Sequence, residues 1–148
     1  MLAGLAVLAG CAGFSKPSPD EYRAAFNPSG FYSKKESFSV PKPFKQVMAM
    51  SKPLFESCFS GINAGMPSRE VGPSSSQAQV IDKGPGKAEM VYRKNGWISA
   101  LADIEAAGNQ TSVTVIGNFA VPVAKGIKSW TSGDTSCPLV ISTPLGVY

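Results

Sequence analysis

The turn signals between residues 82 and 113 constrain the fold of this chain more than any other feature. Lys83-Gly84-Pro85-Gly86 lies between the stretches 77–82 and 87–93, Asn95-Gly96 separates Lys94 from Trp97, and a loop with Gly108-Asn109 separates Ile104 from Val113. Asn-Gly is the strongest of these, because both residues tolerate the positive φ of a type I′ hairpin turn. Runs divided in this way predict a four-stranded antiparallel meander. Side chains alternate along each strand. Ala88, Met90 and Tyr92 are therefore expected on one face, Ile98, Ala100, Ala102 and Ile104 share a face, and Asp103 and Glu105 point the other way.

Upstream, Ser37-Phe38-Ser39-Val40 reads as a short alternating strand, and Pro41-Lys42-Pro43 suits the entry to a helix, whose first turn accepts proline. Phe44, Val47, Met48, Ser51, Leu54, Phe55, Cys58 and Phe59 then recur at the spacing of one helical face. Pro53 falls about opposite Phe44, so it faces solvent and should curve the helix over the core. Gly61 is the expected stop, and residues 63–76 read as a loop. Beyond the meander, Pro122 is expected to end the last strand. Val123, Ile127 and Trp130 fall at i, i+4 and i+7 of a shorter helix, with Gly133 as its C-cap signal. The order β-α-β-β-β-β-α predicts an α+β two-layer sandwich: a meander sheet with one long curved helix and one short helix on one face, in the helix-grip manner.

At the amino terminus, Leu8-Ala9-Gly10-Cys11 closes an apolar run from Leu2 to Ala9 and resembles the lipobox of bacterial lipoproteins. The resemblance implies acylation of the Cys11 thiol, cleavage of the bond before it, and acylation of the new amino terminus. Small Ala9 and Gly10 would let a peptidase approach, and Leu8 would fill an apolar pocket. Residues 1–10 lack the Lys or Arg of an ordinary signal peptide, which a truncated or misplaced start would explain. A buried helix is the poorer reading, because Gly4 and Gly10 disfavour one. The run is also far below the roughly 20 residues of a transmembrane helix.

The chain thus divides into a signal peptide (1–10), a lipidated tether (11–35) and a single α+β domain (36–148). The tether carries Pro17, Pro19, Pro28 and Gly30 among Ser, Lys and Asn. A flexible chain of that length spans roughly 25–30 Å. Phe14, Tyr22, Phe26, Phe31 and Tyr32 are unusual for a linker; they either pack on the domain, the favoured reading, or form a short partner-binding motif.

With Cys11 given to lipid, Cys58 and Cys137 remain as an even pair in an oxidising compartment, which predicts a disulfide. It would pin the end of the long helix to the segment just beyond the short one. Two cysteines without any histidine do not make a tetrahedral metal site. The net charge of +4 suits either anionic lipid and cell-wall phosphates or plain solubility, the second being the stronger reading.

Over nearly the whole chain the pieces resemble a group of small uncharacterised bacterial envelope lipoproteins. The matching parts are the lipobox, a strand ending in Val40-Pro41, Cys58 near a helix end, the meander over 77–117, and Trp130-x-x-Gly133-x-x-x-Cys137. More distantly the order resembles the helix-grip modules of BamC, a lipoprotein of the outer-membrane β-barrel assembly machine. Neither resemblance brings catalytic residues. Ala12 stands where many lipoproteins retained in the inner membrane carry Asp, which implies the outer membrane in a Gram-negative source.

Catalytic constellations are few. The lack of histidine removes Ser-His-Asp, Cys-His and His-metal chemistry. Ser51-Lys52 and Lys128-Ser129 are neighbours, but adjacent helical residues point about 100° apart. Asp103 and Glu105 should lie about 7 Å apart on one strand face, near a glycosidase spacing, although alternating acids on a wet face need no function. Lys83-Gly84-Pro85-Gly86-Lys87 lacks the ending and the helix of a phosphate loop and reads as a turn. Trp97 and Trp130 are read as core residues, with a ligand cleft as the alternative. Scattered basic residues argue against nucleic acid.

The expectation is a non-catalytic, cofactor-free envelope lipoprotein, facing the periplasm from the outer membrane as a structural or accessory subunit of an assembly with an envelope protein partner. An apolar or lipid-like ligand module is the alternative, and an enzyme the remote one.

Overall fold

The meander organises the structure, a computed structural model that describes residues 16–30, 33–60, 76–139, 142–143 and 146–147. In chain order the elements are α1 (Pro19–Ala25), β1 (Lys34–Val40), α2 (Phe44–Phe59), β2 (Ser76–Asp82), β3 (Lys87–Lys94), β4 (Trp97–Ala107), β5 (Gln110–Gly117) and α3 (Ala120–Thr131), then the short β6 (Ser142–Thr143) and β7 (Gly146–Val147). The first five strands form an antiparallel sheet in the order β1-β5-β4-β3-β2. Helix α2 carries the chain from one edge strand to the other, and the meander returns it to β1. The class is α+β, as expected, with an open sheet. Strands β6 and β7 pair with each other as a separate two-stranded unit.

Inner-face residues of the sheet pack against α2 and α3. Val47, Phe55, Cys58 and Phe59 of α2 and Val123, Ala124, Ile127 and Trp130 of α3 form one buried cluster with Met90, Tyr92, Ala100, Ala102, Ile104, Val113 and Val115. The helical stripe read from the sequence is the buried face of α2, and Pro53 lies on its exposed side. Rings meet in a chain through the core: Phe55 to Phe59 at 5.3 Å, Phe59 to Tyr92 at 5.2 Å, and Tyr92 to Phe119 at 5.2 Å between centroids. Side chains tie both ends of α2 to the sheet. The Thr111 hydroxyl donates to the Lys42 carbonyl at 2.8 Å, and Ser60 Oγ accepts from the Ala78 N–H at 3.1 Å.

Two expectations are corrected here. Tyr92 faces Ala100 while Arg93 faces Ile98, so Ser99 is an extra residue in β4. A bulge of this kind turns the preceding side chain to the other face. Ile98 accordingly packs with Val91, Leu101 and Ile116 on the outer face rather than with Ala100. Pro122 does not end a strand, because β5 stops at Gly117 and Pro122 sits in the first turn of α3, where its missing N–H needs no partner.

The bulge has a partner in Gly117. The Ser99 carbonyl accepts the Phe119 N–H at 2.9 Å and so leads the chain into α3. Gly117 has φ +126°, and a Cβ there would lie 2.4 Å from the Ser99 oxygen and 2.9 Å from the Tyr22 hydroxyl. Only glycine fits that backbone and that space.

Helix α3 ends as the sequence indicates, on Gly133 at φ +101°. The Gly133 N–H donates to the Trp130 carbonyl at 3.0 Å and the Asp134 N–H to the Ser129 carbonyl at 3.1 Å, the paired bonds of a Schellman motif. Hydrogen bonds from the Ser136 hydroxyl and N–H, then from the Ser129 hydroxyl, hold the Asp134 carboxyl down to about 2. The Trp130 indole N–H donates to the Ser136 carbonyl at 2.9 Å. This turn delivers Cys137 to Cys58, and the two form a disulfide with Cα atoms 5.4 Å apart across 79 residues. By loop-closure entropy such a link destabilises the unfolded chain by about 4.5 kcal/mol.

Gly117→Ala should lower stability by roughly 2–4 kcal/mol, through strain at a forbidden φ and collision with Ser99. Urea denaturation measures it, and Gly108→Ala, at a glycine whose Cβ would meet nothing within 4 Å, should lose less.

Candidate functional site

The outer face of the sheet carries a second set of functional-type residues. Val91, Ile98, Leu101 and Ile116 make an apolar patch there, and Glu89 and Asp103 sit side by side across β3 and β4. An apolar patch beside a buried carboxylate needs both cover and a cation.

Helix α1 supplies both. Ser18 and Glu21 form a capping box: Ser18 Oγ accepts from the Glu21 N–H at 3.3 Å, and Glu21 Oε2 accepts from the Ser18 N–H at 2.7 Å. Those bonds to Ser18 also hold the Glu21 carboxyl below its ordinary range. Pro19 occupies the first turn. So short a helix is marginal alone, and it is stabilised by docking. Tyr22 and Phe26, four residues apart, pack on the apolar patch, and burial pushes the Tyr22 phenol up.

Arg23 lies between them in sequence and reaches the acids. Its Nη2 donates to Glu89 Oε1 and, at 2.6 Å, to Asp103 Oδ1, while its Nε donates to Asp103 Oδ2 at 3.1 Å. The planar guanidinium thus grips Asp103 through both oxygens, a geometry lysine cannot reproduce. The bond to Asp103 is the main reason the Arg23 guanidinium lies above its ordinary pKa; burial opposes this and Glu89 adds to it. Glu89 is 5% exposed and also has Lys83 Nζ at 3.4 Å. These groups line an open depression of about 480 Å³ with Asp20 and Lys87.

At the other end of α1, Arg93 donates from Nη1 and Nη2 to the Pro17 carbonyl at 3.2 and 3.3 Å, and Nη1 also donates to the Gly96 carbonyl at 3.2 Å. The segment read as a tether over 11–35 is therefore ordered from Lys16 through α1, and β1 begins at Lys34. The aromatics in it divide: Tyr22 and Phe26 pack on the domain, as favoured, while Phe14, Phe31 and Tyr32 lie outside the described residues.

Cys11, the lipidation candidate, and residues 1–10 lie outside the described residues as well. Cys58 and Cys137 are joined to each other. Asp103 and Glu105 share the outer face, yet each is engaged by its own cation, Arg23 for the first and Lys87 at 3.3 Å for the second. Ser51 is buried in α2 while Lys52 is exposed, so the two diverge. Ser129 bonds Asp134, and Lys128 lies 4.5 Å from the centre of the Phe38 ring. Residues 83–86 form the β2–β3 turn, with Gly84 and Gly86 at positive φ, and Lys87 opens β3. Trp130 is buried, but Trp97 is 52% exposed, which corrects its reading as a core residue. Among the described residues no group of three or more Cys, Asp and Glu side chains is placed to hold a metal ion.

Arg23 and Glu89 were not singled out from the sequence, although the signals existed. Ser18-Pro19-Asp20-Glu21 is a capping-box spelling with proline at the first helical position, and Tyr22 and Phe26 follow at helical spacing.

Arg23→Ala should lower stability by about 2 kcal/mol, because it leaves the Glu89 carboxylate buried with only an exposed lysine nearby. A denaturation double-mutant cycle with Glu89→Gln checks this. The double variant should lose clearly less than the sum of the two single losses.

No family model, no curated protein and no solved structure matches this chain, so a functional reading stands on its own residues.

Proposed function

We propose that this chain is a lipid-anchored protein of the bacterial cell envelope, acylated at Cys11. Its non-catalytic domain faces the periplasm, at the outer membrane, as a structural or accessory subunit of an envelope assembly. The observation that carries this reading is the Cys58–Cys137 disulfide. Structural disulfides persist in oxidising compartments outside the cytosol. The bond uses two of the three cysteines and leaves Cys11 as the remaining one, at the position where the lipobox resemblance puts the acylated residue.

Acyl chains bury about 0.8 kcal/mol per CH₂, so two or more of them hold a protein at a bilayer for its lifetime. A scaffolding role agrees with how the chemistry-bearing side chains are used. Arg23 and Lys83 balance the Glu89 and Asp103 carboxylates, and the core aromatics fill the space between sheet and helices. Residues 17–26, within the segment that follows Cys11, are held on the domain by Arg23, Arg93 and the Tyr22 and Phe26 rings.

Intact-mass measurement of the protein purified from its native membrane, with non-reducing peptide mapping, tests the reading. The expected result is an acylated species starting at Cys11 and a Cys58–Cys137 linked peptide, with acylation lost in Cys11→Ala. An unmodified Cys11 in a reduced, soluble protein would contradict it. Chemical crosslinking in intact cells should then join the acylated form to another envelope protein, whereas Cys11→Ala should lose that product.

A further inference from the structure

Trp97 is among the few large apolar side chains that the described fold leaves exposed. It follows the Asn95-Gly96 turn, at the end of the sheet where α1 begins. The Lys16 side chain lies against that turn, such that a Cβ on Gly96 would meet its Nζ at 2.0 Å. Arg93 ties the same turn to the Pro17 carbonyl. Lys16 is five residues from Cys11 in sequence, and five residues of extended chain reach at most roughly 18 Å. That is well short of the span expected of a free tether.

The same end of the sheet collects basic residues. Lys94 pairs with Trp97 across the turn, and Lys34 and Lys35 open β1 opposite Gly117 and Ile116. An indole with a polar N–H on an apolar ring is suited to the boundary between headgroups and acyl chains. Lysines beside it suit anionic headgroups. From this juxtaposition we propose that Trp97, flanked by Lys16 and Lys94, is a membrane contact that inserts the β3–β4 turn into the interface of an anionic bilayer. The inference rests on the lipid-anchor reading. With Cys11 acylated, the anchor and the Trp97 turn touch the same bilayer and together set the orientation of the domain. The open depression at Arg23 and the β2–β3 turn then point away from that membrane.

The test uses the full chain, as isolated from its membrane, in vesicles of phosphatidylcholine and phosphatidylglycerol with brominated acyl chains. Bromine quenches only nearby tryptophan, and buried Trp130 serves as the internal reference. The inference predicts bromine-dependent quenching that is lost in Trp97→Ser, a surface change that keeps the Cys58–Cys137 bond. It also predicts that Lys16→Glu and Lys94→Glu, each compared with its parent in the Cys11→Ala background, weaken binding to anionic vesicles at least about fivefold. Equal quenching with and without Trp97, or vesicle binding indifferent to all three substitutions, would overturn it. Mass at Cys11 reads the anchor separately. An unacylated chain whose Trp97 is quenched would overturn the anchor and keep the contact, and an acylated chain whose Trp97 is not quenched would do the reverse.

Discussion

Arg23 joins a short amino-terminal helix to two carboxylates on the outer face of the sheet, and the arrangement of the domain follows from the need for that join. The sheet is apolar on both faces. Helices α2 and α3 cover the inner one, but Val91, Ile98, Leu101 and Ile116 remain on the outer one, next to the nearly buried Glu89. A five-stranded sheet in this state needs a cover that is apolar at one point and cationic at the next. Tyr22 and Phe26 provide the first and Arg23 the second, from a single helical turn. Because α1 lies on strands β3 and β4, whose other face carries the inner core, the two layers share one backbone.

The bulge at Ser99 links the layers further. It moves Ile98 to the outer patch and aims a carbonyl at the Phe119 N–H, which starts α3 on the inner side. The Tyr22 hydroxyl and the Ser99 carbonyl both crowd the place where Gly117 would carry a side chain. One irregularity in β4 therefore shapes the docking of α1 and the launch of α3 together.

Much of the inner layer was legible because it obeys simple periods. The turns between the strands, the shared inner face of Met90, Tyr92, Ala100, Ala102 and Ile104, the stripe from Val47 to Phe59, and Gly133 as a stop are local signals, and each appears where the residues indicate. The Cys58–Cys137 pair follows from the sequence once the lipobox resemblance assigns Cys11 to lipid, because three cysteines then leave a single pair. What escaped depends on tertiary context. A bulge leaves no reliable trace in a run such as Trp97-Ile98-Ser99-Ala100, so the face of Ile98 was misassigned. Proline and serine around residues 17–19 read as linker composition, although Ser18 and Glu21 cap a helix whose stability comes from docking. Reading Trp97 as core follows the usual behaviour of tryptophan, although its place directly after the Asn95-Gly96 turn, unlike the helical spacing of Trp130, is a local sign of exposure. Asp103 reads as solvated because the cation that pairs with it, Arg23, lies 80 residues away in sequence.

The central claim is that residues 18–26 belong to the folded domain, clamped by Arg23, so that an anchor at Cys11 is at most a few residues of chain from it. Native-state hydrogen exchange of the full-length protein over residues 18–26 tests it most directly, because docked and free helices differ greatly in amide protection. The account predicts slowed exchange at the helical amides of Tyr22 and Phe26 in the wild-type chain, and free-chain rates there in Arg23→Ala while the sheet stays protected. Free-chain exchange across 18–26 in the wild-type protein would contradict it.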